Sequence, residues 1–184
     1  MNHKIILPLV ALGCVHLASA NLVQNGDFST DDFTDWSVVD PDGDMLVDPG
    51  FSFPTPFAAY FGDFTDYGSI SQNLSTMVGT TYTLSYLLED TLNPDDGESF
   101  FVQIGSDTPN SLNVGSFSGV QTFTYDFTAT GTTTALTFSG IDYDFFYELG
   151  DVSVVPLATP TPTPLLTLGF GLAALALRRR KRSK

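Results

Sequence analysis

The chain has 184 residues with 21 acidic and 7 basic side chains, a formal net charge of −14 and a single cysteine. Lys4 is the only base before position 178 and every acid lies between Asp27 and Asp151, so the stretch from Asn21 to Val155 carries 21 acids and no Lys, Arg, His or Cys. That stretch cannot build a Ser-His-Asp or Cys-His nucleophile, a disulfide, or a phosphate or nucleic-acid clamp of basic side chains, and zinc and copper centres are disfavoured. What remains is oxygen chemistry: hard cations, hydroxyl-rich ligands and aromatic platforms.

The chain opens with Lys4, an apolar run from Ile5 to Ala18, and Ala18-Ser19-Ala20 before Asn21. A basic start, a short apolar run and a small-x-small cleavage site form a secretory signal peptide over residues 1–20. Leu12-Gly13-Cys14 raises the alternative of lipid attachment at Cys14.

From Asn21 to Val155 the dominant period is two. Tyr82, Leu84, Tyr86 and Leu88 alternate with Thr81, Thr83, Ser85 and Leu87, and Phe123, Tyr125 and Phe127 alternate with Thr and Asp. Phe100, Val102 and Ile104, then Thr134, Leu136 and Phe138, then Val152 and Val154 repeat the pattern. Such alternation marks strands with one buried face. Turn clusters separate them, including Asp40-Pro41-Asp42-Gly43-Asp44, Asn93-Pro94-Asp95-Asp96-Gly97 and Thr130-Gly131-Thr132. The pattern predicts one all-β domain over residues 21–155, a sandwich or jelly roll.

The C-terminus has three parts. Residues 156–164 form a linker containing Thr159-Pro160-Thr161-Pro162-Thr163-Pro164, extended because each Pro fixes φ. Residues 165–177 form an apolar run, and residues 178–184 a basic block that begins Arg178-Arg179-Arg180. This order predicts a short transmembrane helix with the block in the cytoplasm and the domain outside. Thirteen helical residues span about 20 Å against a hydrocarbon core of about 30 Å, so the helix is marginal as a permanent anchor.

This tail resembles the PEP-CTERM sorting signal of bacterial envelope and matrix proteins: a proline motif, a short Leu/Gly/Ala-rich helix and an Arg cluster. The resemblance implies recognition by a membrane protease of the exosortase type, acting on Pro160, Pro162 and Pro164 together with Arg178, Arg179 and Arg180. Thr161 and Thr163 stand where the family has Glu between prolines. A plain membrane anchor through residues 165–177 is the alternative.

Asn25-Gly26-Asp27-Phe28 followed by Trp36, and the closing Tyr147-Glu148-Leu149-Gly150-Asp151-Val152-Ser153-Val154, resemble the galactose-binding-like jelly rolls of carbohydrate-binding modules. Tyr60-Phe61-Gly62 and Gly79-Thr80-Thr81-Tyr82 carry the same likeness. The resemblance implies a structural calcium between the first and last strands. Asp151 matches one ligand position, Ser29 and Gly150 replace two others, and Asp27 or Asp31 can substitute. A second cation candidate is Asp40, Asp42 and Asp44, alternate acids around a Gly turn; the competing reading is a solvated Pro/Gly turn.

Aromatics outside the alternation are candidates for stacking on the C–H faces of sugar rings: Tyr67, Tyr143, Phe145 and Phe146. Loops of a sandwich also fold aromatics back to cap its ends, so both roles are open. Paired carboxylates for glycoside hydrolysis arise by chance among 21 acids and carry little information. The sequence thus predicts a non-catalytic exported protein of the cell envelope or extracellular matrix, associating with exopolysaccharide and with no nucleic-acid partner. The alternatives are a glycan-binding module with a defined sugar site and, last, a small carboxylate-dependent hydrolase.

Overall fold

The computed structural model describes residues 20–50, 53–90, 99–113, 119–143 and 145–157. The signal peptide apart from Ala20, the Pro/Thr linker beyond Leu157, the apolar run and the basic block lie outside the described residues. Among those residues no helix is long and apolar enough to cross a membrane.

Ten strands are formed: β1 (Ser37–Val39), β2 (Leu46–Asp48), β3 (Ala58–Phe61), β4 (Gly68–Ser75), β5 (Thr81–Asp90), β6 (Ser99–Ile104), β7 (Asp107–Asn113), β8 (Gln121–Thr128), β9 (Thr133–Ile141) and β10 (Tyr147–Pro156). They make two five-stranded antiparallel sheets, β1-β4-β9-β6-β7 and β2-β3-β10-β5-β8, stacked as a jelly-roll sandwich. The all-β expectation is met, and β10 runs one residue past Val155.

The period-two pattern reads directly onto the core. Tyr82, Leu84, Tyr86 and Leu88 are buried on β5, as are Phe100, Val102 and Ile104 on β6 and Leu136 and Phe138 on β9. Rings bridge the two sheets edge-on: Phe61 to Phe100 at 5.3 Å and 85°, and Tyr86 to Phe138 at 5.3 Å and 74°. Each such pair adds about 0.5–1.5 kcal/mol beyond its buried area. Phe123 and Tyr125 follow the same alternation but are only partly buried, because β8 is the edge of its sheet.

Ahead of β1, residues 21–36 form a hook held by side chains. Asn25 Nδ2 donates to the carbonyls of Asp32 and Thr34, and Trp36 Nε1 donates to Asn25 O. Asn25, Phe28, Asp31 and Asp35 all have positive φ, from 48° to 71°. Buried Phe28 stacks on Trp36 at 5.9 Å, which helps hold that backbone in place. Gly26 is required where the hook meets β10, since a Cβ there would stand 2.1 Å from Val152 O.

The antiparallel strands define two unlike ends. One holds the connections β1–β2, β3–β4 and β9–β10; the other holds the tight turns β4–β5, β6–β7 and β8–β9.

Candidate functional site

The first end gathers exposed aromatic rings. Phe64 and Tyr67 come from the β3–β4 loop, and Tyr143 and Phe145 from the β9–β10 loop; their exposures run from 38% to 50%. The sheets bring the two loops side by side, because Phe61 pairs with Tyr147 and Gly68 with Gly140. A backbone bond from Asp142 N to Asp63 O, 2.9 Å, ties them together. Phe145 N donates to Asp142 Oδ1 at 2.8 Å, fixing the turn that presents Tyr143 and Phe145.

Of the four aromatics predicted as ligand contacts, Tyr67, Tyr143 and Phe145 are exposed here. Phe146 is turned inward instead: its ring packs against Tyr60 at 5.6 Å and covers Gly62, where a Cβ would meet it at 2.3 Å. It supports the loop from below. Tyr67 leans on Phe101 of β6 at 5.3 Å. Phe64, half exposed on the same loop as Tyr67, joins the platform.

A carboxylate frame stands behind the rings. Asp42 Oδ2 accepts from Phe64 N at 3.0 Å and Thr65 N at 2.8 Å, while Thr65 Oγ1 donates to Asp42 Oδ1. Those bonds hold the Asp42 carboxyl below the usual range. Asp40 Oδ1 accepts from Gly43 N and Asp44 N, closing the β1–β2 turn, whose Gly43 has φ 82°. Asp42 N in turn donates to Asp63 Oδ1 at 3.1 Å. Within the predicted Asp40-Asp42-Asp44 motif, Asp40 and Asp42 accept from backbone N–H groups, and Asp42 docks this turn onto the β3–β4 loop.

Asp63 is fully buried, with Gly68 against its carboxyl; a Cβ there would lie 1.8 Å from Oδ2. Burial pushes its pKa up to about 6, the Asp42 N–H opposes the rise, and a hydrogen bond and the charge of Asp40 add to it. Sequence alternation gave no signal for this buried acid, which lies two residues past the end of β3. Nor did it flag Glu148 and Glu89, which face each other across β10 and β5 on the outer side of the second sheet. Glu148 is fully buried and Glu89 nearly so, and burial raises the Glu89 carboxyl. The β2–β3 connection covers this face: Phe53 packs on Gly150, and Tyr60 Oη donates to Pro49 O at 2.9 Å.

The remaining predicted cation ligands lie on the hook. Gly26 O accepts from Val152 N at 2.8 Å, which places Asp27 and Asp151 one residue either side of that bond. Both are exposed, and Asp151 has φ 50° in the irregular step between Gly150 and Ser153. Asp27 Oδ1 accepts from Ser29 N, and Asp31 lies further along the hook, exposed. Among the described residues no group of three or more His, Cys, Asp or Glu side chains is arranged to hold a metal ion.

The turn end differs. A cleft of about 120 Å³ there is lined by Ser106, Thr128, Thr130, Thr133 and Thr134, with Asp107 its one charged side chain.

No family model and no curated protein matches the sequence. Solved structures do resemble the fold. The carbohydrate-binding module TmCBM61, solved in complex with β-1,4-galactotriose, superposes with a TM-score of 0.62 at 13% identity, over 76% of this chain and 100% of that one. A family 16 carbohydrate-binding module gives 0.55 at 18% identity, covering 73% and 99%. The CBM22-1 xylan-binding domain of Paenibacillus barcinonensis Xyn10C gives 0.55 at 13%, covering 78% and 98%. At such identities the likeness establishes the jelly-roll fold of these modules.

Proposed function

We propose that the domain is a non-catalytic glycan-binding module, exported and displayed at the cell envelope or in the extracellular matrix, where it associates with exopolysaccharide. The observation that carries the binding reading is the set of exposed rings Phe64, Tyr67, Tyr143 and Phe145 on two loops bonded to each other. Flat rings offer apolar faces to sugar C–H groups, and the acids and amides around them offer acceptors for hydroxyls. The fold shared with sugar-binding modules supports the same reading. A domain without Lys, Arg or His has no cationic group for anionic glycans, so neutral polysaccharides are the expected ligands.

Export and sorting rest on the two chain ends: the leader, and a tail read by an exosortase-type protease or kept as an anchor. Calcium belongs to the proposal at Asp27 and Asp151, the chain neighbours of the two residues joined by one backbone bond. Calcium also accepts backbone carbonyls, so two acids can suffice as its charged donors.

Affinity electrophoresis of the protein in neutral polysaccharide gels tests the binding reading. Retardation by at least one polysaccharide, lost in Tyr143→Ala/Phe145→Ala at unchanged Tm, is expected; no retardation in any gel would refute it. If calcium is structural, adding it raises Tm and chelator reverses the rise. An unchanged midpoint removes the ion from the account.

A further inference from the structure

At the turn end, the chain leaves the domain beside an exposed apolar tip. Leu157 N donates to Thr81 O at 2.9 Å, which sets Leu157 next to the β4–β5 turn carrying Met77 and Val78. Met77 is 69% exposed, Val78 59% and Leu157 47%. The turn is held firmly. Thr80 N donates to Met77 O, Met77 N to Tyr82 Oη, and Gly79 N to Ala129 O, with Gly79 at φ 78°. The neighbouring β8–β9 turn is tied to it through Thr76, which donates to Thr132 O and Gly131 O. Neither stretch 67–88 nor 127–141 contains a charged residue, in a domain with 21 acids.

The sequence says what lies beyond this tip. Seven residues, 158–164, separate Leu157 from the apolar run, a reach of about 22 Å even at full polyproline extension. A basic block follows the run. A bilayer holding that run is thus within a short tether of the turn end. Acidic surface is unfavourable against lipid headgroups, through desolvation and repulsion from anionic lipids; an uncharged apolar tip is not.

We infer that the Met77–Val78 turn, with Leu157 beside it, is a lipid-contacting foot by which the sandwich rests on the bilayer while its tail is anchored. The aromatic loops, at the opposite end of the strands, then face away from the membrane. This rests on the anchoring in the proposed function, and the test separates the two.

The full chain, in a Cys14→Ser background, is reconstituted into phosphatidylcholine/phosphatidylglycerol vesicles with an environment-sensitive fluorophore at Val78→Cys or Thr65→Cys. Co-flotation with vesicles reports anchoring. The foot requires the label at 78 to shift to the blue and be quenched by lipid-borne doxyl groups, while the label at 65 stays in water and open to iodide. Floating protein whose position 78 is as open to iodide as position 65 overturns the foot and leaves the anchor standing. Protein that does not float overturns both. In Met77→Asp/Val78→Asp, flotation should persist while a label at Leu157→Cys moves into water; an unmoved label also counts against the foot.

Discussion

The two ends of the sandwich satisfy their backbones in different ways. At the turn end, backbone meets backbone: Gly79 with Ala129, Ala129 with Thr80, Thr76 with Thr132. At the loop end, carboxylates do much of that work, with Asp40, Asp42 and Asp142 all accepting from backbone N–H groups. A turn closed by its own backbone tolerates side-chain changes. A loop closed by acids depends on each acid and on its protonation, but it can carry large rings in a set arrangement. The acidity of the domain is thus partly structural, concentrated where the candidate ligand contacts are.

Substitutions at the glycines and acids test that contrast. The largest effect is expected from Gly62→Ala, which drives a methyl group into the Phe146 ring. Overpacking of this kind costs about 1–3 kcal/mol, and displacing Phe146 should also disturb Tyr143 and Phe145, so denaturant midpoint and glycan retention fall together.

Next comes pH. The raised pKa of Asp63 means the folded state holds this proton more tightly than the unfolded chain, whose value is near 3.8. Its contribution to stability is full below that value and is lost as pH rises through about 6. Melting curves across that window should show Tm falling with rising pH, and Asp63→Asn should flatten the dependence by on the order of 1 kcal/mol. An identical slope in the variant would assign the trend to general self-repulsion.

Asp42→Ala should lower Tm by a few degrees and weaken glycan retention several-fold, since Phe64 and Thr65 lose their acceptor. Asp42→Asn, which keeps an acceptor oxygen, should recover part of both. The smallest effect on retention belongs to the turn end. Gly79→Ala meets open space and only the penalty of positive φ, about 1–2 kcal/mol, with retention unchanged.

Much of the fold was legible because the core strands bury one face each: Tyr82 to Leu88, Phe100 to Ile104 and Leu136 to Phe138 lie where their period puts them. The candidate site was legible in part, since Tyr67, Tyr143 and Phe145 broke the alternation and proved exposed. Phe146 broke it too, yet packs inward because Gly62 leaves room for its ring. Glu148 was not legible as a buried group: its strand alternation points it outward, and its burial comes from a connection about a hundred residues earlier in the chain crossing that face. Asp63 was hidden for a related reason, since its partners Asp40 and Asp42 reach it from another loop.

Strand β10 joins the loop that presents Tyr143 and Phe145 to the point where the chain departs at Leu157. A polymer pulling on those rings against a tethered tail therefore loads one strand along its length. That strand is central in its sheet, bonded to β5 along one side and to β3 and the Asn21–Leu22 segment along the other. Its hydrogen bonds would be strained in shear, many at once, not peeled one by one. Under the proposed glycan binding and anchoring, the load would run along β10, the direction in which the bonds to both its neighbours share it.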